Sequence, residues 1–248
     1  MLKNSKRIKI TVLLFNVLHS EAKMNKEFDW ADQPSIWAFP VAKPGLPFIY
    51  ASAFTTLIFA ISGMHYLTMT MLLITVCIVL FFRDPDRIIP NQENAVISPA
   101  DGKVIKAEVI DSSPYLEEKC IKISIFMTVF NVHVNRVPCS GEVTDVIYHP
   151  GKFVSANLDK ASEDNERNAI IVKLDNGQSM AVVQIAGLIA RRIISHVQVG
   201  DTVKKGQRFG MICFGSRLDV YLPQTSQINV MVGDHVKSGS SVLAYIKK

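Results

Sequence analysis

"VQVGDTVKKGQRFGMI", residues 197–212, is answered further along by "VMVGDHVKSGSSVLAYI", residues 230–246. The two stretches share V-x-V-G-D-x-V-K-x-G at an offset of 33 residues, Val230 repeating Val197. Alternating β-branched residues broken by Gly-Asp and Lys-x-Gly read as short strands joined by tight turns. Two copies are too few for a solenoid, which needs three or more to bury its core. The repeat therefore predicts two related hairpins packed as pseudo-symmetric halves of one sandwich.

Working outward, the texture from Ile97 to the end is the same. Candidate strands are KVIKAEVI (103–110), CIKISIFM (120–127), GEVTDVIYH (141–149), AIIVKLD (169–175), SMAVVQIAG (179–187) and the run through 209–222. Turn signals stand at Asp101-Gly102, Pro138, Pro150-Gly151 and Asn176-Gly177, the last a hairpin signal. The chain divides into an extension (1–46), an apolar segment (47–82) and a mostly β domain (83–248). The repeated hairpins resemble those of biotinyl and lipoyl carrier domains, which have the barrel-sandwich hybrid fold. That likeness implies a barrel-sandwich-hybrid-like β domain. The lipoyl spacing, counted from Gly200, lands on Ser216 and implies that Ser216 sits on an exposed hairpin tip.

The apolar residues, 48% of the chain, are concentrated ahead of this domain. Residues 48–82 hold no Asp, Glu, Lys or Arg over 35 positions. One membrane-spanning helix needs about 20 apolar residues, so the run is long for one span and short for two. The break at Ser62-Gly63-Met64-His65 divides it into two arms and predicts an N-terminal helical membrane hairpin. Lys43 precedes it, and Arg83, Asp84, Asp86 and Arg87 follow directly. With both ends on one side, the positive-inside tendency puts that side in the cytoplasm, at the inner face of a cell membrane.

A formal net charge of +5 suits an anionic lipid surface and is modest for nucleic acid. With no zinc-finger spacing and no basic stripe interleaved with aromatics, nucleic acid is not an expected partner. Cys77, Cys120, Cys139 and Cys213 lie far apart without a CxxC pair, so they read as reduced, mostly buried thiols with no metal site. The N-terminal MLKNSKRIKITVLLFNVL lacks a cleavage site and reads as an interfacial helix, or as an extension upstream of a start at Met24.

Chemistry enters with CFGSRLDVYLP (213–223), where Gly215-Ser216 interrupts a strand-like run. A G-x-S-x-G elbow is absent, which disfavours a hydrolase of that class. FFRDPDR (81–87), ISPADGKV (97–104), FNVHVNRVP (130–138), YHPGKF (148–153), DKASEDNERN (159–168), VQIAGLIARRI (183–193) and GQRFGMICFGSRLDVYLP (206–223) resemble, in that order, the short bacterial form of phosphatidylserine decarboxylase.

The resemblance implies a proenzyme that cuts itself at Gly215–Ser216 into a large and a small chain. Ser216 becomes a pyruvoyl group, the cofactor for decarboxylating phosphatidylserine to phosphatidylethanolamine. The residue types allow this. Ser216 Oγ attacks the Gly215 carbonyl in an N-to-O acyl shift; β-elimination then releases the Gly215 carboxylate and leaves dehydroalanine, which hydrolyses to the pyruvoyl cap. That carbonyl can form a Schiff base with a substrate amine and accept the electrons freed by CO₂ loss, replacing pyridoxal phosphate.

Asp101 matches a family aspartate associated with activating the serine, and His133 a proton-transfer residue. The long bacterial form has a second histidine where this chain has Arg136. Arg136 and Arg217 are candidates for holding an anionic substrate, and the Asn165–Asn168 stretch for contacting its headgroup. The expected partners are phosphatidylserine, a membrane lipid surface, the two chains of one proenzyme and a second copy in a homo-oligomer. The alternatives are a related serine lipid, such as archaetidylserine, or a lipoyl-type carrier modified at Lys160.

Overall fold

The computed structural model of the chain describes residues 40–151, 156, 164–188, 193–213 and 215–247. Residues 1–39, Lys160 and Arg191-Arg192 lie outside the described residues, and with them most of the N-terminal extension and the carrier lysine.

Two apolar helices come first, α1 (Leu46–Ile61) and α2 (His65–Phe81), joined at residues 62–64 where the polar break predicts a turn. Neither has a conventional amphipathic face. Phe54, Ile61, Tyr66, Met69 and Leu73 are all exposed, and no residue of α2 is buried. Cys77 is exposed on α2 as well, against the expectation of a mostly buried set; Cys120 and Cys139 are buried. By length and composition, the helical stretch Lys43–Ile61 is long enough to cross a membrane. The entering and leaving chains pair, with Ala42 N–H donating to Phe82 O at 2.8 Å and Asp84 N–H to Pro40 O at 2.7 Å. Both ends of the helical pair thus emerge side by side.

The remainder of the described chain is mostly β. Its strands are β1 (Ala95–Ile97), β2 (Gly102–Ile110), β3 (Cys120–Met127), β4 (Val134–Arg136), β5 (Gly141–His149), β6 (Arg167–Lys173) and β7 (Ser179–Ile185). They continue as β8 (Ile193–Ser195), β9 (Thr202–Val203), β10 (Arg208–Ile212), β11 (Ser216–Pro223), β12 (Gln227–Ile228), β13 (His235–Val236) and β14 (Val242–Tyr245). A curled eight-stranded sheet runs β13-β2-β3-β11-β7-β6-β5-β9, and two small sheets, β4-β10-β8 and β1-β14-β12, accompany it. The expected run through 209–222 is two strands rather than one. It breaks just ahead of Ser216.

The repeated stretches occupy equivalent places at the two ends of the large sheet. β9 edges β5, and β13 edges β2. Gly200 N–H donates to Val143 O and Gly233 N–H to Val104 O, both at 2.8 Å. Asp201 Oδ2 accepts the N–H of Gln198 at 2.7 Å, and Asp234 Oδ2 that of Met231 at 2.8 Å. The Gly-Asp pairs close the same turn twice, so the duplicated pattern has a direct cause in hydrogen bonding. The principal core lies on the sheet's inner face and includes Val104, Ile123, Ile125, Val172, Val182, Leu218, Val220 and Leu222.

The presented tip for Ser216 is not found. Ser216 is fully buried at the first position of β11, between β3 and β7. The lipoyl spacing fails because β11 does not continue the first hairpin outward: the chain turns at Gly215 and enters the middle of the large sheet.

Candidate functional site

Because β3 and β7 both run antiparallel to β11, their C-terminal ends meet its N-terminal end. Ser216 pairs with Met127, the last residue of β3, and Arg217 with Ile185, the last of β7. The Gly215–Ser216 bond is therefore flanked by two loops, one leading from Met127 to His133 and one beginning Ala186-Gly187-Leu188.

Gly215 has φ +49°, a left-handed conformation that glycine adopts without a side-chain penalty. Its carbonyl oxygen packs directly on Gly187, in the space a methyl group there would need. Asn165, buried, fastens this corner by donating Nδ2–H to Ala186 O at 2.7 Å. Ser216 Oγ is buried and has no hydrogen-bond partner among the described residues. An orphaned hydroxyl costs desolvation energy, so such atoms call for a functional explanation.

His133 is also fully buried, and its ring makes no well-formed hydrogen bond among the described residues, the backbone of Asn131 being its nearest polar neighbour. Its backbone carbonyl accepts from Ile212 N–H at 3.4 Å, four residues before Ser216, and its ring packs on Phe81 at 4.2 Å between centroids. Burial, with the nearby Arg83 charge adding, pushes its pKa down to about 4. The imidazole is thus neutral at physiological pH and able to accept a proton.

Beneath Ser216 runs a buried polar chain that sequence reasoning missed. Asn168 Nδ2–H donates to Gln184 Oε1 at 3.3 Å, and Gln184 Nε2–H to Asn135 Oδ1 at 2.9 Å. Asn135 Nδ2–H in turn meets Met127 Sδ at 3.9 Å. These groups tie β6, β7 and β4 to the residue opposite Ser216. Asn165 and Asn168 accordingly have their amides inside the protein, where headgroup contact was expected. Gly187 also went unremarked inside its motif, since a glycine's packing partner on a distant strand leaves no local trace.

Asp101, Arg136 and Arg217 stand in surroundings different from those expected. Asp101 receives Arg87 Nη2–H on both carboxylate oxygens, at 2.8 and 3.0 Å, and the backbone N–H of Ser238 at 2.8 Å. In the other repeat the residue 33 positions earlier, Lys205, donates its N–H to Ser140 Oγ at 3.0 Å. Asp101 and Ser140 each precede the glycine that opens β2 or β5, so Asp101 fastens a turn as its counterpart does. β3 separates its strand from that of Ser216, two strand spacings or roughly 10 Å.

Arg136 is buried and committed to Asp84 Oδ1 at 3.0 Å and to the carbonyls of Pro85 and Gly206, each at 3.1 Å. Its guanidinium holds protein groups where a substrate anion was expected. Arg217 is fully buried on the face of β11 opposite Ser216, because side chains alternate along a strand. It forms a fork with Asp219, Nε to Oδ1 at 2.8 Å and Nη2 to Oδ2 at 2.9 Å, with Lys122 Nζ 3.2 Å from the same carboxylate. Adjacency in sequence to Ser216 does not place the Arg217 charge beside it.

FFRDPDR (81–87) proves to be a buckle between the helical pair and the sheets. Arg83 donates to Leu80 O and Phe130 O, both at 2.6 Å. Asp84 also takes Arg208 Nε–H, Asp86 takes Arg208 Nη2–H at 3.3 Å, and Arg87 binds Asp101.

The family model for phosphatidylserine decarboxylase matches residues 74–244. A phosphatidylserine decarboxylase proenzyme from Syntrophus aciditrophicus is 52% identical over 207 residues, covering 82% of this chain and 96% of that protein. One from Desulfotalea psychrophila is 48% identical over 214 residues, covering 86% and 99%. One from Ralstonia nicotianae is 48% identical, covering 82% and 94%. The lipoyl-carrier alternative is not favoured beside these.

Proposed function

The chain belongs to the phosphatidylserine decarboxylase family, and on that footing we propose that it is made as a single-chain proenzyme that cuts itself between Gly215 and Ser216. The mature protein is a carboxy-lyase that decarboxylates phosphatidylserine to phosphatidylethanolamine in phospholipid biosynthesis.

One conjunction supports the position of the cut. A serine hydroxyl with no hydrogen-bond partner among the described residues is buried next to a glycine whose carbonyl is held in a left-handed turn against Gly187. In the self-cleavage, Ser216 Oγ attacks the Gly215 carbonyl carbon, the C–N bond breaks, and the chain is carried as an ester. His133, neutral and buried at the same end of the sheet, takes the hydroxyl proton and returns it to the amine. Loss of the Ser216 α-proton expels the Gly215 carboxylate, and addition of water with loss of ammonia leaves the pyruvoyl on the small chain. When formed, that carbonyl supplies the electron sink that CO₂ loss needs. The residues around it suit such a group: Ser216 is enclosed on all sides, and the polar chain through Gln184 and Asn135 is internally bonded and does not compete for it.

The fold reads as a barrel-sandwich hybrid, its two halves related by the repeated hairpins. The helical pair is a membrane hairpin. Arms of 16 and 17 residues reach about 25 Å, less than a hydrocarbon core of about 30 Å, and both ends leave on one side. A dipping hairpin anchored from the cytoplasmic face fits these lengths.

Intact mass of purified enzyme tests the central point. Two chains, 1–215 and 216–248, are expected, the smaller carrying a borohydride-reducible carbonyl instead of an amine. Active enzyme consisting of full-length chain alone would refute the proposal.

A further inference from the structure

Of the exposed apolar side chains in the sheet domain, which also include Ile88, Met231 and Val232, one group stands beside the reacting bond and is not used by the catalytic chemistry. Phe130 is 83% exposed and its neighbour Val129 39%, on the loop that follows β3; Leu188 is 62% exposed, on the loop that follows β7. These are the two loops that flank the Gly215–Ser216 bond, since β3 and β7 both end where β11 begins.

The loop after β3 is built rather than slack: Asn131 Oδ1 accepts both the N–H and the Oγ–H of Thr128 at 2.8 Å, which turns Val129 and Phe130 outward. Thr128–Val132 contains no charged residue, and the stretch after β7, residues 186–192, is charged only at Arg191-Arg192, of a sign that suits an anionic lipid surface. Arg83 fixes where this edge stands relative to the helices. At the foot of α2, it bonds Leu80 O and Phe130 O with the two arms of one guanidinium. The level at which the exposed helices leave the sheet domain is thus the level of Phe130.

Resting on the membrane reading above, we infer that Phe130 and Leu188 form a second lipid-contacting edge, which seats in the bilayer surface beside the helical hairpin and holds the reacting position of Ser216 at headgroup level. A single-point anchor would leave the sheet domain free to tilt. Contacts on either side of the reacting bond fix its height and let the serine headgroup reach it without the lipid leaving the membrane. Apolar side chains bury favourably at the interface, to a depth of about 5–10 Å.

The test uses cleaved enzyme in which Trp30 and Trp37 are replaced by Phe, carrying either Phe130→Trp or Leu73→Trp. Vesicles of equal parts phosphatidylcholine and phosphatidylglycerol contain lipid brominated high or deep on the acyl chain. The indole of Phe130→Trp should lose about half its emission to the shallow bromines and little to the deep ones. That of Leu73→Trp, on α2, should respond to the deep ones. Quenching of Leu73→Trp without quenching of Phe130→Trp overturns the second edge and leaves the hairpin standing; quenching of neither removes the membrane reading and this inference with it. A second copy of the chain seated on the edge would leave Phe130→Trp unquenched and shift it to monomer by light scattering in Phe130→Ser, which also overturns it.

In parallel, Phe130→Ser with Leu188→Ser should self-cleave fully and keep its rate on a short-chain, monomeric phosphatidylserine. On vesicles its KM should rise about tenfold. An equal loss on both substrates shows a merely structural role and overturns the proposal.

Discussion

The carbonyl oxygen of Gly215 occupies the space that a side chain on Gly187 would fill. The contact joins two residues far apart in sequence at the bond proposed to break, and it sets the direction of the carbonyl that Ser216 must attack. Gly187→Ala cannot be absorbed by rotation of a flexible side chain, because the obstacle is backbone. Reacting atoms displaced by about 1 Å lose on the order of 10²-fold in rate. Gly187→Ala should therefore accumulate uncut precursor, with processing slowed about 100-fold by gel and intact mass, while Leu188→Ala on the exposed neighbour cuts normally. Normal processing of Gly187→Ala would show that the close approach has no part in the cleavage.

Ser216→Ala separates the chemical demands of the site from its stability. The variant has no attacking oxygen, so it should remain a single chain without decarboxylase activity. It also removes a buried hydroxyl with no partner, a group whose desolvation costs about 1–3 kcal/mol. Uncut Ser216→Ala should accordingly match or exceed the thermal stability of uncut Gly187→Ala, which retains the hydroxyl and adds a steric conflict. A midpoint clearly below that of Gly187→Ala would mean that Ser216 Oγ is satisfied in the precursor.

The strands were legible where period-2 alternation and turn residues coincide. β3 and β5 match the expected runs 120–127 and 141–149, and the hairpin at Asn176-Gly177 joins β6 to β7. The repeat also announced its own hydrogen bonding, because Gly-Asp closes the same turn at 200–201 and 233–234. What was not legible depends on which strand neighbours which. Ser216 looked like a tip because local spacing does not say that the chain turns inward at Gly215 to fill the centre of a sheet. Arg217 looked like a neighbour of the reacting group, but strand alternation puts it on the other face with Asp219. The charges of FFRDPDR looked like the flank that orients a membrane segment, and nothing local says that Asp84 is buried between two arginines that come from 52 and 124 residues later.

His133 gives the enzyme a pH signature with a defined sign. Its ordinary pKa of 6.5 is lowered to about 4, chiefly by burial, so the folded protein favours the neutral ring. In the window between those values the unfolded chain binds the proton and the folded one does not, so stability falls as pH drops from about 6.5 toward 4. The full effect is about 3–4 kcal/mol, taking about 1.4 kcal/mol per pKa unit. Self-cleavage should hold a plateau above about pH 5 and decline with a midpoint near 4. His133→Phe keeps an aromatic ring against Phe81 but cannot titrate. It should lose self-cleavage at every pH, and uncut His133→Phe should show a shallower acid loss of stability than uncut Ser216→Ala. Parallel acid profiles for the two would argue against a buried neutral imidazole.

Asp84 is 4% exposed and serves Arg136 and Arg208 together, so one carboxylate holds the start of the sheet domain against β4 and β10. Burial pushes the Arg136 pKa down to about 10, with Arg208 adding and Asp84 opposing; the guanidinium stays charged at neutral pH. Removing one partner from a buried pair strands the other charge, at a cost of about 3–5 kcal/mol. Asp84→Ala leaves Arg136 with backbone carbonyls alone and Arg208 with only the exposed Asp86, and should lower the precursor's unfolding free energy by about that much. Arg136→Lys keeps the charge but cannot reach the carboxylate and the carbonyls of Pro85 and Gly206 at once, so it should restore only part of the stability lost in Arg136→Ala. A substrate-binding Arg136 would behave differently: Arg136→Lys would then be as stable as wild type and would show its defect as a raised KM for phosphatidylserine. Chemical denaturation of the uncut precursors, compared with KM for whatever fraction matures, distinguishes the two roles.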